Sequence, residues 1–257
     1  VSETALGAEI VTDRTEKFLE EAENGVYISS ACPVVVEYIR KYSPDHARFI
    51  TPIISPMLAH AKILKQLYGE DVKIVFAGPC ICKKLEADYF NNLVDVVITF
   101  KDLKKWFEQS DINLKNIAPN QPEARFVPYR SGMGAYYPIE GGMLKGMQEG
   151  KKQIHHMAFS ELSTVKDVLK ELDSHRENDS IFLELLACKG GCINGPAKLS
   201  HISPALKRYE IIHQTELGNP KDDFKNIDLQ ILFCKDPHVQ DHTYTEEEIK
   251  QAMAVVG

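Results

Sequence analysis

Apolar and polar positions follow a recurring order along this chain: a strand-length apolar run, a break marked by Gly or Pro, then a stretch of helical period. Val26 to Ser29 is the first such run. Thr15 to Ala22 is predicted helical before it and Val34 to Lys41 after it, with Pro44 closing the second helix because proline cannot continue one. Met57 to Tyr68 carries Met57, Ala61, Leu64 and Tyr68 on one face and stops at Gly69, so an amphipathic helix is predicted there. The order returns with the apolar run after Lys73 and a helix beyond Cys80, then with a strand over Val94 to Phe100 and an amphipathic helix over Lys101 to Gln109. Further on, Gly141 to Gly150 reads as a glycine-interrupted helix, His155 to Phe159 as a strand, Ser160 to Leu172 as a helix and Ile181 to Ala187 as a strand. A last helix starts near Pro204. Strands that alternate with helices in this way predict an α/β fold whose parallel sheets are flanked by helices, and in such sheets ligands gather at the carboxyl ends of the strands.

The stretch from Ser110 to Glu140 is rich in Pro, Asn, Gly and Tyr, which predicts a long connection and a boundary between two lobes near 110–140. The site is expected in the cleft between those lobes. Composition agrees with a large folded body, since 257 residues at 44% hydrophobic content bury a substantial core. The balance of 37 acidic against 30 basic residues gives a net charge of −7, without long Lys or Arg runs. Nucleic acid and anionic membranes are therefore not expected as partners. Neither an apolar stretch of about 18 residues nor a signal-peptide pattern at Val1-Ser-Glu-Thr-Ala is found, so the expected location is cytoplasmic. The chain opens without Met and runs quickly into a helical pattern. It closes on Thr245-Glu-Glu-Glu-Ile-Lys-Gln-Ala-Met, a helix start with acidic residues in its first turn, and both ends suggest a piece of something longer.

Six cysteines are too few for a disulfide scaffold, and a reducing compartment would leave them as thiols. Three share one setting, each just beyond an apolar run: Gly25-Val-Tyr-Ile-Ser-Ser-Ala-Cys32, Lys73-Ile-Val-Phe-Ala-Gly-Pro-Cys80 and Ile181-Phe-Leu-Glu-Leu-Leu-Ala-Cys188. Cys188 opens Cys188-Lys-Gly-Gly-Cys192-Ile-Asn-Gly-Pro196, which adds a fourth thiol after a two-glycine turn whose amides can approach sulfide or thiolate. Four thiolates meeting at one point suit a soft metal or an iron–sulfur cluster. A structural zinc site is the alternative, although zinc ligands usually come as close-spaced pairs within one small unit. Lys83, one helical turn past Cys80, could face an anionic ligand; a solvated Lys83-Lys84 pair is the plainer reading of that stretch taken alone. Cys82 and Cys234 read as small buried residues, and His155 and His156 point to opposite faces of a strand, which gives no histidine metal site.

Three separated segments, in this order, carry a family resemblance: Ser30-Ala31-Cys32-Pro33, Gly78-Pro-Cys80-x-x-Lys83-Lys-x-Glu86, and Glu184-x-x-Ala187-Cys188-x-Gly-Gly-Cys192-x-x-Gly195. They resemble the signature motifs of the catalytic, H-cluster domain of iron-only (FeFe) hydrogenases. The match runs from about Ala5 to about Cys234 and includes the Ser55-Pro56 pair before a helix. The resemblance implies a hydrogenase-like domain over 1–235 that lacks the family's ferredoxin-like modules and the first part of the catalytic domain. It also implies a tail and helix over 236–257 that lead toward a further extension.

For the site, the resemblance implies a 4Fe-4S cubane on Cys32, Cys80, Cys188 and Cys192, with Cys192 bridging to a di-iron unit that carries CO, cyanide and a dithiolate. Lys83 would donate to a cyanide, Glu86 would help fix that lysine or the neighbouring loop, and Ser55 belongs to the same cofactor-binding set. The departures are as informative. Ala31 stands where turnover hydrogenases place a proton-relay cysteine, Gly78 and Leu186 stand where methionines are usual, and Arg14-Thr15 lies about where relay carboxylates are usual, while Thr51 keeps a hydroxyl. Such changes resemble the sensory branch of the family. Reversible heterolytic cleavage of H2 at low turnover is the implied function, with H2 and protons as partners and electron-transfer or signalling domains on the same full-length chain. A non-catalytic 4Fe-4S protein similar to the hydrogenase-like cluster-assembly factors is the alternative.

Overall fold

The computed structural model describes residues 1–218 apart from 91, 114–115, 118–124, 149 and 173–178. Cys234 and the helix expected after Thr245 lie outside the described residues, as do parts of the 110–140 connection. The strands are β1 (Val26–Ile28), β2 (Val75–Gly78), β3 (Val96–Thr99), β4 (Ile154–Ser160) and β5 (Ser180–Leu186). The helices are α1 (Ala5–Glu21), α2 (Pro33–Tyr42), α3 (Pro56–Tyr68), α4 (Cys82–Tyr89), α5 (Phe100–Gln109), α6 (Gly142–Gly146), α7 (Leu162–Leu172) and α8 (Pro204–Gln214). Among the described residues all strand pairings are parallel: β1-β5-β4 form one sheet and β2-β3 another. The fold is α/β with helix-flanked parallel sheets, as the alternation of apolar runs requires.

β5 lies in the middle of its sheet and is buried on both faces, which explains its near-continuous apolar run. Successive side chains leave a strand on opposite sides. Phe182 therefore joins a core with Ile10, Val11, Met57, Leu58 and Ile63 from α1 and α3. Leu183 and Leu185 join a second core with Val35 and Ile39 from α2 and Val165 and Leu169 from α7. β1, close to the N-terminus, pairs with β5 in the register Ile28↔Leu183, so this sheet draws on chain from both sides of the 110–140 connection. In the smaller sheet β2 and β3 run from Val75↔Val96 to Gly78↔Thr99. α5 follows β3 at once through a capping box, in which Thr99 accepts from the Asp102 N–H at 3.1 Å and the Asp102 carboxylate accepts from the Thr99 N–H at 2.8 Å.

Three expectations are corrected. The first helix begins at Ala5 instead of Thr15, because its early turns are held by packing: Leu6, Ala8, Ile10 and Val11 are buried, and a Cβ at Gly7 would sit 2.3 Å from the Pro56 carbonyl oxygen of α3. On α3, Tyr68 is exposed and Ile63 takes the buried place, while Gly69 ends the helix at φ 96° as expected. The helix expected over Gly141 to Gly150 shrinks to Gly142–Gly146, since Gly141 at φ 74° is outside the helical region and Met147 at ψ 139° is extended. Among the described residues no helix is long and apolar enough to cross a membrane.

Candidate metal centre

β1, β2 and β5 each end within four residues of a cysteine, as Cys32 follows Ile28, Cys80 follows Gly78 and Cys188 follows Leu186. Cys32 is buried at the N-cap of α2, where Pro33 starts the helix with its fixed φ, and Cys80, Cys188 and Cys192 are partly buried. The four thiols are close enough to feel each other's charge. Burial raises the Cys32 thiol above its ordinary value, and the charge of Cys80 adds to this. Burial likewise pushes Cys188 up to about 11, with Cys32 and Cys80 contributing. Cys192 is raised by burial and then by Cys32, Cys188 and Cys80. These couplings cover every pair among the four. Burial thus favours the neutral thiol at Cys32, Cys188 and Cys192, and a metal that binds thiolate would supply the positive charge that favours the ionised form. No three His, Cys, Asp or Glu among the described residues close round a single ion, so the gathering is looser than a one-metal site.

Lys83 is buried on the first turn of α4, and its charge is felt at both Cys32 and Cys192. Its ammonium donates to the Glu86 carboxylate at 2.6 Å and to the Ser55 hydroxyl at 2.9 Å. Ser55 is itself buried at the N-cap of α3. The solvated Lys-Lys reading is thus half right: Lys84 is at the surface, 3.0 Å from Asp102, whereas Lys83 points inward. Stability alone does not account for that burial, because desolvating an ion pair usually cancels its attraction. Cys82 departs from its expected place in the core. It is the first residue of α4, partly exposed, and lines a cavity of about 270 Å³ together with Ser30, Thr51, Ser55 and Glu86.

The turn between Cys188 and Cys192 needs its glycines. Gly190 and Gly191 have φ of 74° and 106°, and a Cβ on Gly191 would lie 2.3 Å from the Pro138 carbonyl oxygen. Their amides do not face sulfur. The Gly190 N–H donates to the Ser160 hydroxyl oxygen at 2.8 Å and the Gly191 N–H to the Cys188 carbonyl at 2.9 Å, which corrects the expectation drawn from the sequence. Around Ala31, Thr51 donates to the Ser30 hydroxyl at 3.4 Å, and Ser30 in turn donates to the Ile53 carbonyl. The Thr15 hydroxyl is turned onto its own helix, 2.7 Å from the Val11 carbonyl. No titratable side chain occupies position 31.

Glu184 opens the third motif, yet no role for it follows from the sequence because it sits inside an apolar strand. It is 2% exposed, and burial raises its carboxyl to about 7 despite N–H groups from Met143 and Leu144 that favour the charged form. A carboxyl with a raised folded value contributes stability that is full below its unfolded value of 4.5 and is lost as pH rises through about 7. The full shift corresponds to about 3 kcal/mol. Urea unfolding at pH 5 and pH 8 should therefore show Glu184→Gln losing much of the pH dependence of the parent, and equal slopes for the two proteins would contradict the assignment.

Parallel strands that end close to cysteines, with a buried lysine on the helix after one of them, define a class: an α/β protein with helix-flanked parallel sheets and thiols gathered beyond its strand ends. The chain belongs to the family of the iron only hydrogenase large subunit, C-terminal domain, whose model matches residues 1–196. It is 24% identical over 276 residues to iron hydrogenase 1 of Clostridium pasteurianum, a match covering 90% of this chain and 46% of that protein. It is 26% identical over 266 residues to a probable cytosolic Fe-S cluster assembly factor of Drosophila mojavensis, covering 80% of this chain and 55% of the other. The chain thus spans about half the length of these curated relatives. A variant of the FeFe-hydrogenase HydA1 from Chlamydomonas reinhardtii shares the fold, with a TM-score of 0.61 at 18% identity over 91% of this chain and 79% of that one.

Proposed function

We propose that this chain is the H-cluster-binding domain of a sensory-type FeFe-hydrogenase, acting on H2 and protons at low turnover. The observation that carries the reading is the placement of Cys32, Cys80 and Cys188 just beyond the ends of parallel strands, with Cys192 one short turn on and Lys83 buried on the first turn of α4 between Ser55 and Glu86. The thiol set fits a cubane in number, softness and burial. In this reading the four cysteines hold it, Cys192 also serves the di-iron unit, and the bound cluster supplies reversible heterolytic cleavage of H2. Lys83 spends two of its three N–H groups on Glu86 and Ser55, which fixes the ammonium and leaves one donor for an anionic ligand such as cyanide. Ala31 can neither hold nor pass a proton, so protons leave by a slower path than in a relay-competent site. Residues 1–235 form the hydrogenase-like part of a cytoplasmic protein whose full-length chain carries electron-transfer or signalling domains.

The cluster-assembly relatives favour a second reading, in which the same cysteines hold a 4Fe-4S cluster and no di-iron unit is ever loaded. One experiment orders the possibilities. Anaerobic reconstitution should give about four irons per chain, since one cubane takes four thiolates. Supplying the di-iron unit should then add infrared bands of bound CO and cyanide. A cubane that never acquires those bands supports the assembly-type reading, and stoichiometric zinc without iron uptake overturns both.

A further inference from the structure

Residues distant in sequence tie down the turn that carries Cys188 and Cys192. Ser160, the last residue of β4, accepts the Gly190 N–H at 2.8 Å, and its own hydroxyl donates to the Glu140 carboxylate. The Glu140 N–H donates to the Gly190 carbonyl at 3.3 Å, and the Ile193 N–H to the Pro138 carbonyl at 3.1 Å. Arg208 of α8 donates to the Glu140 carbonyl at 3.0 Å. A serine hydroxyl has one proton to give. With that proton committed to a carboxylate, the oxygen can meet Gly190 only as an acceptor, and the charge-assisted bond behind it stiffens the arrangement.

We propose that Ser160 and Glu140 are positioning residues that hold the Gly190-Gly191 turn in the shape presenting Cys188 and Cys192 to the metal. The proposal rests on the reading of the four cysteines as cluster ligands. Two adjacent glycines give a turn the widest backbone freedom of any pair, so left to itself this loop would sample many separations of the two thiols. The clasp removes that freedom before metal arrives. Gly191 abuts the Pro138 carbonyl, and both ends of the Gly190 peptide unit are occupied, its N–H by Ser160 and its carbonyl by Glu140. Partners of this kind around metal ligands typically change metal affinity by about 10-fold or more when removed.

The test compares Ser160→Ala with Ser160→Thr, which keeps the hydroxyl. In the metal-free chain the Gly190 amide should exchange with solvent about tenfold faster in Ser160→Ala, as expected for loss of one hydrogen bond, and should recover in Ser160→Thr. In the reconstituted protein a chelator should extract iron about tenfold faster from Ser160→Ala only. An unchanged Gly190 exchange rate in a folded Ser160→Ala chain overturns the proposal, as does iron release at the parent's rate. Should Ser160→Ala fail to fold, Glu140→Gln keeps an acceptor but loses the charge and should move both readouts the same way by a smaller factor. If the parent chain itself takes up no iron, the cluster reading fails, and the amide exchange still decides whether the clasp exists.

Discussion

Cys192→Ser is expected to abolish cluster retention while leaving the fold intact. Serine has nearly the volume of cysteine, and the backbone role of residue 192 is independent of its side chain, since the Gly195 N–H donates to the residue 192 carbonyl at 2.8 Å. The ligand is what changes. A thiolate is a soft, readily ionised donor to iron, whereas a buried hydroxyl stays protonated and binds soft metals poorly. Reconstituted iron should fall from about four per chain to well under one, with the cubane's visible absorption gone. Cys82→Ser is the matched control. Cys82 also senses Cys80 and Cys32 and is pushed to about 11, chiefly by burial, yet it lies outside the proposed ligand set and lines the neighbouring cavity. It should keep its iron. Full iron in Cys192→Ser, or loss only in Cys82→Ser, would transfer the fourth ligand to Cys82 and undo the assignment.

The strand ends were legible in the sequence for a physical reason. Parallel strands buried on both faces need uninterrupted apolar runs, and the chain must then turn, so runs such as Ile181 to Ala187 announce both the strand and the cysteine after it. What could not be read is what depends on partners remote in sequence. The first turns of α1 contain Gly7 and Thr12, poor helix formers, and they are helical because α3 packs against them. Lys83 looks like half of a solvated pair until Ser55, 28 residues away, is found beneath it. The glycine amides looked available to sulfur, but Ser160, 30 residues distant, takes one of them. Glu184 opened the third motif and broke an apolar pattern, two signals of a buried carboxyl that the strand pattern outweighed.

In fully matured protein, Ala31→Cys is expected to raise the rate of hydrogen evolution on the order of a hundredfold, the usual contribution of one positioned proton-transfer group. That factor corresponds to about 2.7 kcal/mol of barrier. Residue 31 adjoins Cys32, and its backbone N–H is already fixed by the Ser29 hydroxyl at 3.3 Å, so a new thiol would be held by an ordered backbone. The hydroxyl of the adjacent Ser30 accepts from that of Thr51 at 3.4 Å, so two hydroxyls are linked next to this position. The gain has a ceiling. Thr15 spends its hydroxyl on its own helix and Arg14 is a cation, so the carboxylates usual in the outer relay are not restored by this one change. A rise near tenfold would place the remaining block on α1, and adding Thr15→Glu to Ala31→Cys should then raise the rate further. If Ala31→Cys leaves the rate unchanged while infrared bands verify an intact di-iron unit, the missing thiol does not limit turnover, and the sensory-type reading loses the residue on which it chiefly depends.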